Sequence, residues 1–179
     1  MSTSFKSAMD RLKANIRDIP DFPKPGIVFK DITPILSDGQ LFRLAVTNFA
    51  DRYQRKSVEK IVAIDARGFI FGGALAYHLG IGLAVVRKKG KLPFESHEAE
   101  YQLEYGQGVL EIHTDAVKPG QRVVIIDDLL ATGGTAKAAA DLVHLQGGYV
   151  VAFAFVVELT FLNGREKLLP VKVESVLSY

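Results

Sequence analysis

The run Val123-Val124-Ile125-Ile126-Asp127-Asp128-Leu129-Leu130-Ala131-Thr132-Gly133-Gly134-Thr135 takes an apolar strand into two carboxylates and then into a small-residue loop. Gly133 and Gly134 let backbone N–H groups come close to a ligand. Thr132 and Thr135 add hydroxyls, and a helix opening here would favour an anion at its N-terminus. The chemistry is that of a phosphate cradle without a lysine, distinct from the nucleotide P-loop and its Gly-Lys-Ser/Thr ending. An ordinary strand–turn–helix capped by threonine would account for Thr135 and the glycines, but not for Asp127 and Asp128. Adjacent carboxylates at the end of a buried strand repel, and each loses solvation on the order of several kcal/mol unless compensated. A ligand with hydroxyls, or a nearby cation, offsets that cost. Successive strand side chains point oppositely, so the two acids should have different partners.

Further polar residues follow other apolar runs. Asp65-Ala66-Arg67-Gly68 comes directly after Ile61–Ile64, and the basic run Arg87-Lys88-Lys89-Gly90-Lys91 comes after Leu83–Val86. A solvated face is the usual fate of such a run, but a strand end is where an anion site would lie. Tyr101, Leu103 and Tyr105 alternate with Gln102 and Glu104; Gly106-Gln107-Gly108 turns; Leu110 and Ile112 alternate with Glu111 and His113. This reads as a hairpin with one apolar face, a movable flap that places Glu104 on its polar side. A carboxyl closed into a drier site has its pKa raised toward a useful range, whereas an exposed strand glutamate is the commoner case. Ile27-Val28-Phe29 reads either as core or as an edge for a ligand. His78, His97, His113 and His144 show no metal-ligand spacing.

The elements that must position these residues follow from periodicity. Phe5, Met9, Leu12, Ile16 and Ile19 predict an amphipathic helix ending at Pro20, and Pro20–Pro25 an extended connector. Helices are expected over Leu41–Gln54, Phe69–Leu79 and about Thr135–Leu145, and strands over Ile61–Ile64, Leu83–Val86, Val123–Ile126 and Tyr149–Val157. Continuous apolar strands between helices predict an α/β fold with a central, mostly parallel sheet covered on both faces. Ligands of such sheets sit beyond the strands' carboxyl ends, where the acids and cations above fall.

With 179 residues and 48% hydrophobic content the chain can bury one sizeable core, and disorder is not expected. No cysteine means no disulfide and no thiolate metal site, which fits a reducing, cytoplasmic setting. A net charge of +2 is too mild to point to nucleic acid. Gly68–Val86 lacks Asp, Glu, Lys and Arg, but its glycines and charged flanks read as a buried helix and a strand rather than a membrane span. Neither a nucleic-acid nor a membrane partner is expected.

The acidic pair with its Thr-Gly-Gly-Thr loop resembles the 5-phosphoribosyl-1-pyrophosphate (PRPP) motif of type I phosphoribosyltransferases. Asp-Asp-Leu-Leu-Ala-Thr-Gly-Gly-Thr is similar to the adenine-specific branch. So are Phe22-Pro23-x-Pro25-Gly26-Ile27-Val28-Phe29-Lys30-Asp31-Ile32, Asp65-Ala66-Arg67-Gly68-Phe69, Arg87-Lys88-Lys89-Gly90-Lys91-Leu92-Pro93 and Leu103-Glu104-Tyr105-Gly106, in the same order along the chain. The resemblance implies one domain over 1–179: an N-terminal helix and adenine-binding hood segment (1–33), and a PRPP-binding core (34–179) with an inserted flap at about 92–114. It implies transfer of the phosphoribosyl group from PRPP to N9 of adenine, giving AMP and pyrophosphate in purine salvage, through an oxocarbenium-like transition state.

In that scheme Ala131, Thr132, Gly133, Gly134 and Thr135 hold the 5′-phosphate, and Asp127 and Asp128 accept from the ribose hydroxyls. Asp65, Ala66, Arg67 and Gly68 grip pyrophosphate with Arg87, Lys88 and Lys91, which in relatives act across a homodimer interface. The main chains of Val28 and Lys30 read adenine between Phe29 and Leu129; the family often has arginine where this chain has Lys30. Glu104 handles the purine proton, with Tyr105 beside it on the flap. The segment from Phe94 to Glu100 departs most from the family pattern. Magnesium is the implied cofactor, carried by PRPP with no direct protein ligand, a water link being open to Asp127 or Asp128. A 6-oxopurine transferase and a PRPP-sensing, nucleic-acid-binding regulator are the alternatives. The intact Leu103–Gly106, the low charge and the lack of a winged-helix extension count against the regulator.

Overall fold

The computed structural model describes residues 3–22, 24–102 and 107–179. The chain divides into two units, Met1–Asn48 and Phe49–Tyr179. In the first, α1 (Thr3–Ala14) stops short of the predicted end at Ile19. The Asn15 N–H donates to the Leu12 carbonyl (3.1 Å), and the chain turns. Arg17–Pro20 is a strand, β1, because Ile19 precedes proline and is disfavoured from the helical region. β1 pairs antiparallel with β2 (Val28–Asp31), from Arg17↔Asp31 to Pro20↔Val28. The predicted extended connector is therefore the bend of a hairpin, where the Asp21 carboxylate accepts from the Gly26 N–H at 2.7 Å. A short α2 (Thr33–Ser37), not foreseen, carries Pro34 in its first turn. α3 (Gly39–Tyr53) opens on Asp38, whose Oδ1 accepts from the N–H groups of Gln40 and Leu41 at 2.8 and 3.1 Å.

The second unit is built on β3 (Lys60–Ile64), α4 (Gly68–Leu79), β4 (Gly82–Lys88), β5 (Ser96–Gln102), β6 (Gln107–His113), β7 (Arg122–Leu130), α5 (Gly134–Leu145), β8 (Tyr149–Glu158) and β9 (Lys172–Ser178). Two short 3-10 helices, Thr160–Leu162 and Gly164–Leu168, link β8 to β9. One seven-stranded sheet runs β5-β6-β4-β3-β7-β8-β9. Strands β3, β4, β7, β8 and β9 are parallel; β6 is antiparallel to β4 and β5 to β6. Alternating strand residues feed two faces. Val62, Ile64, Val123 and Ile125 join the core under α5 with Ala139, Leu142 and Val143. On the other face Gly72 of α4 lies so close to Ala63 and Ile126 that a Cβ there would meet the Ala63 methyl at 2.6 Å. Two packed helical layers of this kind give the expected α/β architecture. β9 escaped the sequence reading because Lys172, Glu174 and Ser175 interrupt its apolar pattern; Glu174 is buried, paired with Lys56 (3.2 Å) and Lys172.

The hairpin is set differently from its sequence pattern. Its first strand is Ser96–Gln102, and Gln107 and Gly108 belong to the second strand rather than to a turn. Gly108 is required there, because the Tyr101 ring occupies the space a Cβ would take, at 2.5 Å. Leu103, Glu104, Tyr105 and Gly106 lie outside the described residues, as does Pro23. Among the described residues no helix is long and apolar enough to cross a membrane.

Candidate active site

Strand lengths create the site. β3 and β7 pair only as far as Ala63↔Ile126, whereas β7 and β8 continue to Leu130↔Glu158. Asp127 and Asp128 were expected just past a strand end. They lie instead inside the C-terminal half of β7, supported by β8 on one side and released by β3 on the other. The same holds across the sheet: β3 and β4 pair up to Ile64↔Val86, after which β4 continues against β6 through Arg87↔Glu111 and Lys88↔Leu110. The short central strand thus opens a notch between two longer neighbours, at the carboxyl edge.

Asp127 and Asp128 have different partners. Asp127 Oδ1 accepts from the Asp128 N–H at 2.8 Å, and Asp128, 6% exposed, is ion-paired through Oδ2 with Arg67 Nε. Loss of solvation pushes the Asp127 carboxyl well above the ordinary aspartate range, and the Asp128 charge pushes it further the same way. Gly68 starts α4 against this pair; a Cβ there would meet Asp127 Oδ1 and the Ile126 carbonyl, each at 2.9 Å. The Asp65–Ala66 peptide bond is cis. Asp65 Oδ2 accepts from Arg87 Nε at 3.1 Å, and the Lys91 carbonyl accepts from Arg87 Nη1 at 3.2 Å. Arg67 is thus paired with Asp128, and Arg87 with Asp65 and the Lys91 carbonyl, while the Lys88 and Lys91 residues are exposed.

Beyond β7, residues 131–135 line a pocket with Asp127, Leu129, Leu130, Ala136 and Phe155. Gly133 takes the helix N-cap position with φ +79°, and no side chain caps α5. The threonine-capped alternative is thus not what forms. The first N–H groups of a helix have no partner within it. Among the described residues no protein acceptor is placed for those of Gly134 and Thr135. The pocket encloses about 80 Å³, room for several waters at roughly 10–15 Å³ each and hence for one phosphoryl group.

Two parts of the site gave no sequence signal. Gly164, in the second 3-10 helix, closes the back of the loop: a Cβ on it would meet the Ala131 carbonyl oxygen at 2.1 Å, and one on Gly133 would meet the Gly164 carbonyl at 2.3 Å. Beside it Glu158, 2% exposed, is gripped bidentately by Arg165 (2.6 and 2.5 Å), which holds its carboxyl below the usual range. Glu111, which alternates with the apolar residues of the hairpin, is 4% exposed under the Gly90–Leu92 loop. No local pattern in the chain marks either of them.

Of the expected adenine contacts, Val28 is exposed on β2 and Phe29 packs edge-on against Phe22, centroids 5.3 Å apart. Lys30 Nζ pairs with Asp18 at 2.6 Å. All three belong to the first unit, and Leu129 to the second.

Residues 35–176 match the phosphoribosyl transferase domain family. Over 179 residues, the whole of both chains, the sequence is 52% identical to the adenine phosphoribosyltransferase of Methylacidiphilum infernorum. The chain belongs to the adenine phosphoribosyltransferase family. The crystal structure of the adenine phosphoribosyltransferase from Thermoanaerobacter pseudethanolicus superposes with a TM-score of 0.93 at 52% identity, over 96% of this chain and 99% of that one. The Saccharomyces cerevisiae adenine phosphoribosyltransferase, complexed with D-2,5-dideoxy-2,5-imino-altritol 1,6-bisphosphate and adenine, follows at TM-score 0.91 and 39% identity, covering 96% of this chain and 99% of its own. The family read from the sequence motifs is confirmed, and with it the type I fold. The protein is an enzyme, an adenine phosphoribosyltransferase of purine salvage.

Proposed function

We propose that the enzyme joins adenine N9 to C1′ of PRPP at the notch above β3, releasing pyrophosphate and forming AMP with inversion. The observation that carries this reading is the notch's two-sided chemistry. A phosphate-sized pocket at a helix N-terminus lies on one side of the Asp127–Asp128 pair, and the Asp65–Arg67–Arg87 cluster lies on the other. One sugar phosphate with a pyrophosphate at C1′ satisfies both. Ala131–Thr135 receive the 5′-phosphate; Asp127 and Asp128 accept from the ribose hydroxyls and oppose the positive charge that grows at C1′ in an oxocarbenium-like transition state. Arg67, Arg87, Lys88 and Lys91 neutralise the departing pyrophosphate, with Asp65, Ala66 and Gly68 shaping its seat. Adenine is read by the main chains of Val28 and Lys30 and flanked by Phe29 and Leu129, while Glu104, next to Tyr105, takes the N9 proton. An adenine-bound relative at 39% identity supports the base assignment.

The residues fit magnesium that arrives on PRPP. Asp127 and Asp128 supply hard oxygens, and Asp128 is already engaged by Arg67. Magnesium keeps several of its waters and binds through phosphates and one or two carboxylates. When bound it neutralises charge on the pyrophosphate oxygens, with Asp127 or Asp128 accepting from its waters. We place the activity in the cytoplasm, in a homodimer. The homodimer reading is supported by the outer stripe of α4 formed by Ile70, Gly73, Ala74 and Tyr77, with Tyr77 91% exposed.

The test is an assay of purified protein with PRPP, magnesium and each purine base, following pyrophosphate release. Release is expected with adenine alone. Comparable release with hypoxanthine or guanine would move the enzyme to the 6-oxopurine class and overturn the adenine assignment.

A further inference from the structure

We infer that Glu111 is a positioning residue for the pyrophosphate end of the site, acting through the Gly90–Leu92 loop and the Lys91 carbonyl on Arg87. The inference rests on the proposed assignment of Arg87 and Lys91 to pyrophosphate. A carboxylate removed from water is costly unless hydrogen-bonded. Glu111 Oε1 accepts from the N–H groups of Lys91 and Leu92, both at 2.7 Å, and Oε2 lies 3.4 Å from the Ser96 hydroxyl. Burial alone would raise its pKa, but these backbone bonds outweigh it and hold the carboxyl below the ordinary glutamate range. The acceptor oxygen Oε1 is therefore what ties down the loop.

The loop in turn aims Arg87. Glu111 and Arg87 are direct cross-strand neighbours, a placement that favours an ion pair between opposite charges. The carboxylate is instead taken up by the loop amides. The Arg87 guanidinium is held between Asp65 Oδ2 (3.1 Å) and the Lys91 carbonyl (3.2 Å), its face 5.9 Å from the Phe69 ring centroid. The sequence Glu111–Lys91–Arg87–Asp65 thus links the hairpin base, the basic loop and the ends of β4 and β3. It also gives the basic run Arg87–Lys91 a defined shape, where a solvated lysine-rich loop would sample many.

Steady-state kinetics with PRPP, together with product inhibition by pyrophosphate, test this on Glu111→Ala, Glu111→Asp, Glu111→Gln and Arg87→Ala. Glu111→Ala and Glu111→Asp, which lose the loop bonds, should raise the PRPP KM and the pyrophosphate inhibition constant about tenfold or more. The adenine KM should stay within about twofold, since a positioning defect confined to the leaving-group end spares uniform binding of the base. Glu111→Gln keeps an acceptor oxygen at Oε1 and should remain within about threefold of the wild type. Arg87→Ala should raise the same two constants as Glu111→Ala. Wild-type pyrophosphate inhibition in Glu111→Ala and Glu111→Asp, alongside weakened inhibition in Arg87→Ala, would overturn the role of Glu111. If Glu111→Ala does not fold, Glu111→Asp alone carries the same expectation. A wild-type response from Arg87→Ala would overturn the pyrophosphate assignment itself.

Discussion

Asp127 sits where its charge works against the fold. Burial and the neighbouring Asp128 charge raise its pKa, so the folded chain binds this proton more tightly than the unfolded one. Stability contributed here is present at low pH. It declines as pH rises from the ordinary aspartate range through the raised folded value. Asp127→Asn removes the charge and keeps an acceptor for the Asp128 N–H. Its melting temperature at pH 7–8 should exceed that of the wild type, each kcal/mol of relief being worth about 2–4 °C. Calorimetric PRPP affinity should meanwhile fall by about tenfold or more. A variant that melts lower and binds PRPP normally would contradict both the electrostatic account and the ribose assignment.

The element scale is where loops meet. The turn after β7 owes its shape to α5, whose N-terminus presents the amides, and equally to the second 3-10 helix, which presses Gly164 against Ala131 and Gly133. Each glycine leaves the space that the other's backbone fills. Gly164→Ala puts a methyl 2.1 Å from the Ala131 carbonyl oxygen, a clash with backbone that no side-chain rotation relieves. Overpacking of this kind costs about 1–3 kcal/mol, and here the strain falls on the Ala131–Gly133 turn, the proposed phosphate seat. The PRPP KM and the AMP inhibition constant should rise about tenfold, the equivalent of 1.4 kcal/mol, with adenine KM little changed. Unaltered AMP inhibition in a folded Gly164→Ala protein would show that the loop tolerates the shift. At this scale Thr132 to Thr135 were legible from the residue string, because hydroxyls and glycines announce a cradle. Gly164 was not, since nothing near it in the chain marks a contact with residues some thirty positions earlier.

For the whole molecule, α4 carries no Asp, Glu, Lys or Arg and yet is not wholly enclosed. Gly72 faces the sheet, whereas a Cβ on Gly73 would meet nothing within 4 Å. Ile70 is 43% and Tyr77 91% exposed. Isolated exposed apolar residues are ordinary; a stripe at helical spacing marks an interaction surface. Under the homodimer reading, sedimentation velocity should show a dimer, and Tyr77→Glu should shift it toward monomer. A monomeric wild type at assay concentrations would remove the dimer from the scheme.

The amino-acid string alone established the α/β class, the order of the main strands and helices, the family and the cluster of acids and glycines around Asp127–Thr135. These depend on local periodicity and on residue types that carry their chemistry wherever they stand. Tertiary structure decided the rest. It ended α1 at Ala14 and turned Arg17–Pro20 into a strand, because pairing with Val28–Asp31 and the restriction before proline outweigh a helical apolar pattern. It placed the two acids within β7, because β8 runs further than β3. It also buried Glu111 and brought Gly164 to the Ala131–Gly133 turn. Strand length relative to a neighbour, and contact between segments distant in sequence, are properties of the packed sheet that no single stretch of residues contains.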